Sequence, residues 1–197
     1  MMINLIQEGI ENAFPYENYR SRVTQLIKEG KASGAVQTPD LLQYSILNET
    51  RMNRLEKTIT IDESIKSRLE KLEKSYIWLV LAEGWCGDAA QILPVIYKMS
   101  QINEKINFLV AFRDENEVLM QQFLTNGSRS IPKLICIDAA TKTVIGDWGP
   151  RPNGAIELIE NYKKEHGKVD EPAKIALQKW YLENKGQEIQ QEIIALL

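Results

Sequence analysis

The chain has 197 residues, of which 44% are hydrophobic and 26% charged, the mix of a globular protein rather than a disordered or fibrous one. That length suits one domain of ordinary size with helical additions, not two full domains. A formal charge of -3 gives no electrostatic reason for a nucleic-acid surface, and no apolar run approaches the ~20 residues of a membrane span. One histidine and two cysteines cannot complete a four-ligand structural zinc site without carboxylates, so no metal is expected. The opening MMINLIQEGIENAF lacks the basic start and long apolar stretch of a signal peptide. A cytoplasmic location is therefore expected, where thiols stay reduced.

The first zone, residues 1–75, reads as a helical extension packed on the core. Val23, Leu26 and Ile27 form an apolar stripe closed by Gly30, and the loop KASGAVQ follows. Thr38 and Pro39 start a further helix, because proline at the first helical position loses no needed hydrogen bond. Ile65, Leu69 and Leu72 make another stripe behind the capping candidate Asp62. Lysines and glutamates over 66–74 mark a solvated helix face.

The second zone, residues 76–167, alternates strand and helix. YIWLVLA (76–82) is a short apolar run suited to a strand covered on both faces. A helix over 88–100, interrupted at Pro94, leads to a second buried strand, INFLVAF (106–112). A helix is expected over 115–124, with Asp114 as its cap. The strands KLICID (133–138) and 143–148 are joined through AATK, and a helix over 155–165 follows WGPRPNG. Strands linked through a helix should be parallel, while the short AATK link implies an antiparallel pair. The expectation is an α/β fold with a four-stranded mixed sheet flanked by helices. The third zone, residues 168–197, reads as a C-terminal extension of one or two helices around Trp180, broken near Gly186.

LAEGWCGDAAQ (81–91) places Cys86 where the first strand gives way to a helix. With Ile131-Pro132 before the third strand, and Pro94 eight residues after Cys86, these residues resemble the thioredoxin superfamily over roughly 76–165. The pattern WCGD, with a helical N-terminal extension and WGPRP, is similar to a group of bacterial thioredoxin-like proteins. The resemblance implies a thioredoxin-like fold, a cis-proline turn at Pro132 beside the active cysteine, and Cys86 as the catalytic thiol. It also marks departures. Ala89 occupies the resolving-cysteine position, Asp88 stands where thioredoxin has proline, Gly84 reads as an insertion, and YIWLVLA lacks the family's buried aspartate.

A cysteine at a helix start faces unpaired N–H groups and the positive end of the helix dipole, which favour thiolate. Asp88 opposes this by roughly 1 kcal/mol, so a moderately activated thiol is expected. One thiol without a resolving partner implies monothiol exchange with a small thiol or a client protein. No bound cofactor is expected beyond a low-molecular-weight thiol as co-substrate. Trp85, Gly87, Asp88, Ser130, Ile131 and Pro132 would line the substrate site, with Arg129 and Lys133 as electrostatic support. Two readings stand beside this one: a non-catalytic binding module in which Cys86 is incidental, and a redox sensor that oxidises at Cys86. Cys136 reads as core, too far along its strand from Pro132 to bridge Cys86. Trp78 and Trp180 read as core, and His166 as an exposed helix end. The sequence leaves the oligomeric state open.

Overall fold

The structure is a computed structural model and describes residues 2–197. Its first part comprises α1 (Met2–Glu11), the two-residue strand β1 (Phe14–Pro15), α2 (Tyr16–Lys28), α3 (Pro39–Thr58) and α4 (Glu63–Glu70). The central part runs β2 (Tyr76–Ala82), α5 (Gly87–Ser100), β3 (Ile106–Phe112), a 3₁₀ turn (Arg113–Glu115) and α6 (Glu117–Met120). It continues through β4 (Lys133–Asp138), β5 (Val144–Trp148) and α7 (Asn153–His166), followed by α8 (Glu171–Asn184) and α9 (Gln187–Ile194). Among the described residues no helix is long and apolar enough to cross a membrane.

Local chemistry sets the helix ends. Thr38 accepts a hydrogen bond from the Leu41 N–H with Pro39 in the first turn, and Asp62 does the same for Ser64, each meeting a donor the helix leaves unpaired. Gly167 closes α7 and Gly186 precedes α9, both with positive φ that glycine adopts freely. Pro94 lies inside α5 without ending it. The neighbours Ile92, Leu93, Val95 and Ile96 are fully buried, and that packing holds the helix past its missing N–H.

The sheet has five strands in the order β1-β3-β2-β4-β5, which corrects the expectation of four. β2 runs parallel to β3 and antiparallel to β4, and β5 pairs antiparallel with β4. The extra strand is β1, antiparallel at the edge of β3 with Phe14 opposite Val110. Two residues carry no periodicity, and proline is tolerated on an edge, so nothing in the sequence marks it as a strand. All seven residues of β2 are buried, because helices cover both faces.

The helix expected over 115–124 shrinks to α6. Asn116, at φ -126° and ψ 45°, is buried and turns its amide to the Phe112 carbonyl at 2.9 Å, which separates the 3₁₀ turn from the helix. Asp114 does not cap α6. Its carboxylate holds Arg113 and its N–H donates to Glu83.

Candidate functional site

β2 delivers the segment Glu83-Gly84-Trp85-Cys86 to the start of α5, and Cys86 is the N-cap residue of that helix. Its Sγ accepts from the Ala89 N–H at 3.5 Å and donates to the Ile131 carbonyl at 3.4 Å. The Ile131-Pro132 peptide is cis. Both residues are buried, and Cys86 itself is 8% exposed. Ser130 is half-buried, with its N–H donating to the Ser128 carbonyl.

Burial pushes the Cys86 thiol up to about 12, with the charge of Asp88 adding to it. The N–H groups of Ala89 and Asp88 and the Arg151 guanidinium pull the other way. Burial thus works against the moderately activated thiol expected at a helix start. Desolvation of the thiolate outweighs the helix start, because the sulfur has lost contact with water.

The segment is tied down from the N-terminal side. Ser33 donates to the Glu83 carboxylate and accepts from the Gly84 N–H at 2.9 Å. Its carbonyl receives the Trp85 indole N–H at 3.1 Å. Asn48 of α3 donates to the Gly84 carbonyl at 3.0 Å. A β-carbon at position 84 would lie 3.0 Å from a Val23 methyl, so the bare backbone of Gly84 lets α2 pack this closely. Arg113 covers the Trp85 ring at 5.2 Å. Gly87 has open space except for Arg51, whose Nη1 would lie 3.7 Å from a β-carbon there.

From the other side the site is held through charge. Asp88 accepts from Arg151 at 2.7 and 2.8 Å and from the Tyr181 hydroxyl of α8 at 2.9 Å. Arg151 reaches it because the WGPRP turn packs against the prolyl turn. A β-carbon on Gly149, which sits at φ +113°, would lie 2.3 Å from the Pro132 carbonyl oxygen. Only glycine permits that approach.

The two residues expected as electrostatic support both have partners of their own. The buried Lys133 ammonium is bound to Asp147 of β5 at 2.7 Å, and exposed Arg129 pairs with Glu117. Arg151 takes that place, named by proximity and not by the local motif.

Two buried groups gain roles at the site that the sequence does not show. Glu83 is fully buried, and burial raises its carboxyl above the usual range against the lowering effect of Ser33 and the Asp114 N–H. It thus supplies a buried acid one residue beyond the strand that lacks one. Tyr19 of α2 is also buried, and its hydroxyl is raised by burial and then by the charges of Glu83 and Cys86. Cys136 is fully buried opposite Trp78, with its thiol pushed up to about 11 by burial, and both cysteines are free. His166 is exposed at the end of α7.

A parallel pair of central strands, an antiparallel hairpin beside it and a cysteine capping the intervening helix opposite a prolyl turn define a thioredoxin-like protein. The thioredoxin family model matches residues 34–163, and the chain belongs to that family. No curated protein matches the sequence. In fold the chain is similar to a protein of unknown function from Pseudomonas aeruginosa, with a TM-score of 0.64 and 15% identity over 96% of this chain and 95% of that one. It is also similar to an HIV epitope-scaffold, with a TM-score of 0.57 and 16% identity over 88% of this chain and 95% of that one.

Proposed function

We propose that this thioredoxin-family protein is a binding module in which Cys86 is kept as a protonated, hydrogen-bonded thiol, with a client protein as its partner. The observation that carries the reading is the burial of Cys86 Sγ against the Ile131 carbonyl. Burial pushes the thiol well above its ordinary range and so keeps it protonated at neutral pH, whereas the thiolate is the nucleophile. Ala89 offers no second thiol to complete an exchange.

The test is intact mass spectrometry of the native chain and of Cys86→Ser after incubation with oxidised glutathione. Native protein should carry no adduct on Cys86, while denatured chain reacts at both thiols. A Cys86 adduct on native protein, released by added thiol, would overturn the reading.

The second reading is monothiol exchange, favoured by the Ala89 N–H aimed at Sγ and the nearby Arg151. The Cys86 thiolate attacks one sulfur of a disulfide, the other sulfur leaves as thiolate, and a low-molecular-weight thiol then releases the mixed disulfide. That reading requires a segment motion that uncovers the sulfur, and it predicts the adduct the first reading forbids.

A further inference from the structure

On the far side of Ser33 from Gly84, the end of α2 and the segment 31–37 close against the end of β3 around a cleft of about 380 Å³. This lies within the volume range of small-molecule sites. The α2 side contributes Arg22, Leu26 and Lys31, and the β3 side contributes Phe112, Asp114 and Glu115. Cations thus line one side and exposed Glu115 the other, where Arg113 already neutralises Asp114 at 2.8 Å, and apolar groups lie on both. Among the described residues Arg22 and Glu115 take part in no ion pair, and Lys31 meets only exposed Glu29.

The cleft wall is built in advance of any ligand. The Gln37 side chain closes the segment on itself, accepting from the Ala32 N–H at 3.0 Å and donating to the Ala32 and Gly34 carbonyls at 2.9 Å. Gly34 sits at φ +84°, and a β-carbon there would lie 2.5 Å from Asp114 Oδ2. Glycine is therefore required for the segment to approach the acidic side. A wall fixed this way costs little further ordering when a ligand enters.

We propose that this cleft binds a small zwitterion of amino-acid or dipeptide size. Its carboxylate pairs with Arg22 and Lys31, its ammonium with Glu115, and its apolar part lies on Leu26 and Phe112. A ligand of one sign meets attraction on one side and repulsion on the other, whereas a zwitterion satisfies both. The site is separate from Cys86 and does not depend on its chemistry.

The test is calorimetric titration of the full chain with the common free amino acids and with glycyl dipeptides, the two arms separating the two sources. N-acetyl amino acids and amino-acid amides serve as single-charge controls. Saturable binding is expected from at least one zwitterion, about tenfold weaker for its blocked forms and about tenfold weaker in Arg22→Ala and Glu115→Ala, a loss of ~1.4 kcal/mol each. Both side chains are exposed, so the variants should keep the wild-type urea midpoint. No saturable binding up to about 10 mM, beyond even weak specific affinity, would overturn the proposal. So would equal binding of the blocked forms, or wild-type affinity in both variants.

Discussion

From the N-terminal side, Ser33 and Asn48 hold the backbone N–H and carbonyl of Gly84, and the Ser33 hydroxyl also donates to the Glu83 carboxylate. From the C-terminal side, Arg151 and Tyr181 hold only a side chain, the carboxylate of Asp88. The first grip fixes where the sulfur sits, and the second sets the charge it feels. Position should therefore be the costlier property to disturb, and charge the one that tunes the thiol.

The largest effect is expected at Glu83. Glu83→Ala leaves the Ser33 hydroxyl and the Asp114 N–H without their acceptor, at about 1–3 kcal/mol for each buried donor, so urea unfolding should report a loss of roughly 2–4 kcal/mol. A loss below about 0.5 kcal/mol, the range of an ordinary surface change, would break the distinction between the two grips. Glu83 also makes the grip pH-dependent. Its folded pKa lies above its unfolded value, so its contribution is complete below about pH 4.3 and is lost as pH rises through the raised folded value. Glu83→Gln should abolish that fall, which parallel unfolding series across the window will detect.

The charge grip should give smaller stability effects and a clear thiol effect. Asp88→Asn is expected to cost about 1–2 kcal/mol, since half-buried Arg151 loses its counter-charge. It should also move the pH at which Cys86 is alkylated downward, because a negative charge beside the sulfur is gone. Arg151→Met should move it upward. A shift of the same sign in both variants would contradict the assignment.

Much of the fold was legible because β2, β3 and β4 are short apolar runs between helical patterns, and those runs carry the sheet. β1 was not legible, since two edge residues show no period and are defined only by pairing with β3. Of the site, Cys86, Trp85 and Pro132 stand in local motifs and could be read directly. Ser33, Arg151 and Tyr181 lie 50, 63 and 93 positions from the residues they hold. Their roles exist only once the chain has folded. Glu83 stands one residue past a fully apolar strand, and its burial follows from its contacts with Ser33 and Asp114 rather than from the strand's own pattern. The nearness of Lys133 to Pro132 in sequence likewise says nothing of Asp147, its partner across the β4-β5 pair.

The smallest effect is expected at Arg129. Arg129→Ala breaks an ion pair whose members are both exposed, worth about 0–1 kcal/mol, and should leave the alkylation profile of Cys86 unchanged. A shifted profile would restore Arg129 to the site.

The central claim, that burial outweighs the helix start at Cys86, is tested most directly by the rate of iodoacetamide alkylation of the native chain against pH, read by mass at Cys86. The account predicts a rate still rising beyond about pH 10, past the ~8.5 midpoint of an unperturbed thiol. A plateau reached at or below pH ~8.5 would contradict it and return the site to exchange chemistry.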